Sequence, residues 1–252
     1  MNDIVMKPCA DDIEKAGIEF DRENKDIEEA LWDLFGHYSE NSSISHVLLK
    51  VTALNVLYST QIRLYSNRTP TILDVAHHIA NLGIDSDLRL GSPEIVDRIA
   101  KLRVKDKADR YYYSFATKYC SWHNANSYPI FDSRVVQYLC YLRDHECIGR
   151  FSQAALWDYP KFRRIIEEVR EKNELGSFTF KEIDKFLYLQ GSKLLMGRSE
   201  RVVEEDETIL VPATGQTSEM EWSVENYSSP EEAELSHKKF TDSAGWVKVK
   251  PE

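Results

Sequence analysis

The chain has 252 residues, 42% hydrophobic and 29% charged, a composition that supports a buried core and excludes collagen-like, mucin-like and wholly disordered classes. No run approaches the ~20 apolar residues of a bilayer span, and residues 1–15 lack the basic, apolar, small-residue order of a secretion signal, so a cytoplasmic location is expected. The formal charge of −10 is uneven: residues 1–40 carry 4 basic against 12 acidic residues and 199–252 carry 5 against 13, leaving a net of +6 for 41–198. That pattern fits solvated acidic ends, and it equally fits a polyanion-binding centre between flanks that limit non-specific association.

Residues 1–24 read as an acidic N-terminal segment. Residues 26–35 space their apolar side chains on one helical face and start with acids, as the helix dipole favours. Asn41 to Ser45 supplies an N-cap, and residues 46–64 are apolar on nearly every face, which predicts a central buried helix. Thr69 and Pro70 open another helix that Gly83 ends, and Ser92-Pro93-Glu94 opens a third, with Ile95, Ile99 and Leu102 on one stripe. A charged connector, 103–107, joins it to a helix over 108–122, and two helices so linked form a hairpin. Tyr128 to Phe131 is extended around Pro129, and Asp132-Ser133 begins a helix through Leu142. Further helices are predicted over 160–172 and, behind the Thr179/Glu182 capping box, to about Met196. Strand-like alternation is missing, so 25–198 is read as one all-α domain. The acidic tail, 199–252, is expected to be disordered or weakly structured, with 209–212 and 246–249 as short strands or docking peptides.

Three segments carry chemical information. Asp132 stands at a helix start after a stiff Pro-led approach; a carboxylate there suits either a cap or the stabilisation of a sugar oxocarbenium ion during N-glycosidic cleavage. Gln61 ends the buried helix, and is either a solvated terminus or an amide able to fill a duplex from which a base has been turned out. Tyr111, Tyr112, Tyr113, Trp122 and Tyr128 suit either a core or a base cage. Lys161 to Arg164 and Lys181/Lys185/Lys193 are solvated helix faces or phosphate contacts. The four cysteines, Cys9, Cys120, Cys140 and Cys147, include no CxxC pair. With His123 and His145 they match no tight zinc spacing, so they are read as reduced thiols and no metal is expected.

Ser59-Thr60-Gln61, the helix–connector–helix at 93–124 and Pro129-Ile-Phe-Asp132-Ser133, in this order, resemble the helix-hairpin-helix DNA glycosylase superfamily, the group of endonuclease III and 8-oxoguanine DNA glycosylase. The resemblance covers roughly residues 30–196 and implies a glycosylase-like helical bundle. It implies that the chain hydrolyses the N-glycosidic bond of a damaged or modified base flipped out of duplex DNA, in base excision repair. By the same resemblance Asp132 is the catalytic acid. Lys107 is the candidate nucleophilic lysine if 124–128 is an insertion, and Gln61, Arg103, Lys105, Lys107, Tyr112 and Arg134 are DNA-binding. The connector lacks the family's glycines, so phosphate contact falls to its basic side chains. The family's cluster cysteines are absent, so no iron–sulfur centre or other cofactor is expected. Expected partners are double-stranded DNA with a modified base and a protein partner for the acidic tail, with no membrane. The alternative is a catalytically inactive helix-hairpin-helix module that binds DNA or protein.

Overall fold

A computed structural model describes residues 4–5, 7–204, 209–212 and 246–249. The first helix, α1, spans Ala10–His37, starting sixteen residues before the helix expected at 26. The Asp12 carboxylate accepts the Cys9 amide at 3.0 Å and closes the N-terminus. Ile13, Ala16, Glu28, Leu31 and Phe35 form its buried stripe. Acid density hides that stripe in the sequence, and its cause is tertiary. The last long helix, α9 (Phe180–Glu204), lies antiparallel to α1, with Lys181 3.2 Å and Lys185 2.6 Å from Glu28, Lys185 2.6 Å from Asp21, and Lys193 3.3 Å from Glu19. Residues 10–24 are therefore part of the helical body. The lysines read as phosphate contacts are committed to these acids instead.

Between them the chain builds α2 (Ile44–Leu57), α3 (Ile72–Leu82), α4 (Asp85–Leu90), α5 (Glu94–Ala100), α6 (Tyr113–His123), α7 (Ser133–Asp144), a 3-10 turn at Gln153–Trp157 and α8 (Tyr159–Lys172). The fold is predominantly helical, as expected. The start of α3 moves two residues on, to a Thr71/Asp74 capping box, while Gly83 ends it at φ 63°. Two short antiparallel strands flank the connector, β1 (Lys101–Leu102) and β2 (Arg110–Tyr111), too brief to show alternation. Residues 199–204 continue α9, and β3 (Ile209–Pro212) pairs antiparallel with β4 (Trp246–Val249). The rest of the expected weakly structured tail lies outside the described residues.

The helix buried on every side is α6, where Tyr113 to Trp122 are all buried. The expected candidate, α2, ends at Leu57 instead of 64 and leaves Leu49 and Val56 in solvent. Its lone charge, Lys50, is buried and donates to the Tyr38 carbonyl at 2.9 Å, the Glu40 carbonyl at 3.2 Å and Asn41 Oδ1 at 2.6 Å, so it neutralises the C-terminal end of α1. His123 Nε2 lies 3.3 Å from the same ammonium.

At the contact between α7 and α9, a Cβ on Gly191 would fall 1.9 Å from the Arg134 carbonyl oxygen, so only a hydrogen fits. Gly191→Ala is expected to destabilise the protein by about 1–3 kcal/mol, read from the midpoint of chemical denaturation. Burial and then the Lys50 charge push His123 down to about 3. Between that value and its ordinary 6.5 the unfolded chain binds the extra proton, so stability falls as pH falls through this window. Thermal unfolding at pH 5 against pH 7 is expected to show a loss of about 2 kcal/mol from this group, removed in His123→Gln.

Candidate active site

Tyr128 to Asp132 crosses the core extended and without a neighbouring strand, so its backbone groups find side-chain partners. Asp184 Oδ2 on α9 accepts the Ile130 amide at 2.8 Å, and Thr117 Oγ1 on α6 accepts the Phe131 amide at 3.0 Å. The Phe131 carbonyl accepts from Ser114 Oγ at 2.9 Å and the Pro129 carbonyl from the Tyr159 hydroxyl at 2.9 Å. This lattice delivers Asp132 to the start of α7, where Oδ1 caps the helix by accepting the Arg134 amide at 2.9 Å.

The other oxygen, Oδ2, lies 3.6 Å from Lys118 Nζ on α6; the acid is 19% exposed and the lysine 2%. Lys118 also donates to Ser114 Oγ at 2.6 Å, one turn earlier on the same helix. Its ammonium stands 5.6 Å from the centre of the Tyr58 ring. The Tyr58 hydroxyl accepts from Trp122 Nε1 at 3.2 Å and Lys181 Nζ at 3.4 Å. Burial drives the Asp184 carboxyl well above the usual carboxylate range, the Ile130 amide and Lys181 opposing and Asp132 adding to the rise. Its Oδ1 has no hydrogen-bond partner among the described residues. The arrangement is a carboxylate at the surface end of a buried amine, with an aromatic wall and a second acid, Asp184, beneath the backbone that carries it.

The expected site residues divide. Gln61 is exposed at φ 55° and Ser59 takes φ 50°, two left-handed non-glycine residues in one turn. Asn55 braces that turn, its Oδ1 accepting the Thr60 hydroxyl and Ile62 amide at 2.8 Å each and its Nδ2 donating to the Ile62 carbonyl at 3.0 Å. Through Tyr58 the same turn touches the Lys118 environment. Arg103 and Lys105 are exposed on the connector, Arg103 3.3 Å from Asp109. Asp106 stands at φ 63° where a glycine is usual. Lys107 is held 2.5 Å from Asp74 in the first turn of α3. The lysine beside Asp132 is therefore Lys118, not Lys107.

Tyr112 is 2% exposed with its hydroxyl on the Pro70 carbonyl at 3.3 Å, so it offers no face to a ligand. Tyr111, Tyr113, Trp122 and Tyr128 are likewise core residues, which decides between the two readings of the aromatic run. Arg134 lies over the Tyr188 ring at 4.8 Å. Cys120 is buried, which pushes its thiol well up, and among the described residues no group of three His, Cys, Asp or Glu side chains is arranged to hold a metal ion. Among the described residues no helix is long and apolar enough to cross a membrane.

Reading the sequence missed Lys118, although a signal was there. It is the lone charge between Tyr111 and Trp122, with Ser114 four residues earlier on the same helical face. Asp184 carried no such signal.

The HI_0787_N family, described as an N-terminal domain, matches residues 11–127, a span that includes Tyr58, Gln61, the connector and Lys118 and stops short of Asp132. An uncharacterized protein of Haemophilus influenzae is 31% identical over 188 residues, covering 69% of this chain and 87% of the relative. No solved structure matches the chain. With most of that relative's length matched at this identity, the chain belongs to the HI_0787_N family.

Proposed function

We propose that the chain is a DNA glycosylase-like enzyme that releases a modified base from duplex DNA, with Asp132 as the acting carboxylate and Lys118 as the amine beside it. The observation that carries this reading is the 3.6 Å pair between a half-buried acid and a fully buried lysine. A buried lysine is costly unless paired, and it is the side chain most often used as an amine nucleophile. Cleavage of the N-glycosidic bond builds positive charge on the sugar, which a nearby carboxylate stabilises. As a free amine, Lys118 forms a C1′–Nζ bond while the bond to the base breaks; the base leaves with that electron pair and takes up the proton the amine sheds. Opening of the sugar ring then leaves an imine. Gln61, exposed on its braced turn, fits the role of filling the vacated stack. Arg103 and Lys105 on the connector fit phosphate contacts.

A second reading is a non-catalytic helix-hairpin-helix module for DNA or protein. The observation that favours it is the capping bond from Asp132 to the Arg134 amide, which gives the acid a structural role without any reaction.

Two measurements separate them. On duplexes that each carry one modified base, uracil, 8-oxoguanine or an alkylated adenine, Asp132→Asn is expected to lower base release about 10²–10⁴-fold. Its duplex affinity should hold, because the amide still caps α7. Borohydride reduction during turnover is expected to trap a covalent protein–DNA adduct with the wild type and with Lys107→Met, and none with Lys118→Met. Absence of base release from every duplex would leave the non-catalytic module.

A further inference from the structure

In a chain with 29% charged residues, α2 has one charged side chain, Lys50, and that one is buried. Its outer side is formed by Ser45, Leu49, Thr52, Ala53, Val56 and Leu57, at the three- and four-residue spacing of a single helical face. Leu49 is 50% and Val56 69% exposed on that face. Beyond the helix, Leu64 and Tyr65 are exposed as well, Tyr65 at 85%, and carry the apolar surface into the following loop. A helix face turned to water ordinarily bears charged and polar side chains, so an uncharged leucine and valine face has a hydration cost that a partner recovers on covering it.

Charge at the two ends of α2 selects the partner. Glu40 is exposed in the turn that leads into the helix, and Arg63 and Arg68 are exposed in the loop that leaves it, within a stretch, 41–73, that holds no Asp or Glu. The surface therefore runs from acidic through apolar to basic along one axis. A second α2 laid antiparallel brings the Glu40 end of each copy to the Arg63 and Arg68 end of the other, and the helix dipoles oppose; a parallel alignment sets like charge against like. Side-chain spacing agrees. Leu49 and Val56 stand two turns apart, about 10.5 Å along the axis, with the small residues Thr52 and Ala53 midway. A two-fold axis through that midpoint sets each Leu49 against Val56 of the other copy, and the small residues at the crossing let the helices approach closely.

We infer that α2 is the seam of a two-fold homodimer, in which the α2 helices of two copies pack antiparallel, Leu49 of one against Val56 of the other, with Glu40 facing Arg63 and Arg68 at each end. The seam lies outside the Asp132–Lys118 pair and does not rest on the reaction proposed for it. A helix of 14 residues is about 21 Å long, so the contact is small and the dimer forms in the micromolar range.

The test is sedimentation equilibrium of the full chain from about 1 to 200 μM, a range that brackets a micromolar dimer. Wild type is expected to pass from monomer to dimer. Leu49→Glu and Val56→Arg, each alone, should weaken the dimer about tenfold or more, because each buries an unpaired charge against an apolar side chain of the other copy. Combined in one chain, the two substitutions oppose each other across the axis and should restore the dimer to within about threefold of wild type. Both positions are exposed in the monomer, so circular dichroism and thermal unfolding of a dilute monomer should match wild type for all three variants. Wild type that stays monomeric to the highest concentration overturns the proposal, as does a dimer that neither single substitution weakens. A dimer lost in both single variants and not recovered in the combined one also overturns it, since the antiparallel register is then wrong. A monomer that binds duplex DNA or phosphatidylglycerol vesicles and loses that binding in Leu49→Glu overturns it in favour of those occupants.

Discussion

Amides buried away from a sheet have to be answered by side chains, and the stretch from Tyr128 to Asp132 is where this chain meets that requirement most acutely. Thr117 and Ser114 from α6, Asp184 from α9 and Tyr159 from α8 each take one backbone group of that stretch. Three helices are thereby pinned to one short segment, and the segment in turn sets where Asp132 stands. The position of the candidate acid is a consequence of core hydrogen bonding as much as of its own cap on α7. Ser114 serves both purposes, since its oxygen donates to the Phe131 carbonyl and accepts from Lys118.

Charge is distributed by the same logic. The acids of α1 hold the lysines of α9, and Lys181, half-buried between Glu28 and the face of Trp122, joins this network to Tyr58. The acidic first segment is thus the counter-charge of the last helix. In the loop after α2, Arg63 and Arg68 are exposed within a stretch, 41–73, that holds no Asp or Glu. Uneven local charge, more than the total of −10, is the quantity that bears on a polyanionic partner.

Much of the helix order was legible from periodicity and caps. The Thr179/Glu182 box, Gly83 at a left-handed C-cap and the helix start at Asp132 are local chemistry, settled within a few residues of themselves. The errors share a cause: α1 looked polar because its partners are distant lysines, and α2 looked fully buried because apolar content does not say which face finds a neighbour. In the candidate site Asp132 was legible and Lys118 nearly so. That Lys118 and not Lys107 stands beside Asp132 was not legible, because counting residues back from an acid ignores the path of the connector, which carries Lys107 to Asp74.

By itself the chain determined a predominantly helical body, its main breaks, and a carboxylate opening a helix after a proline, because these follow from side-chain periodicity and backbone sterics acting over one or two turns. Tertiary structure alone decided which lysine meets that carboxylate, which aromatic rings are core, and which ring is left in water. Those outcomes depend on groups far apart in sequence, Asp184 and Ile130 or Tyr58 and Lys118, being brought within a few ångströms, and no local pattern encodes that distance.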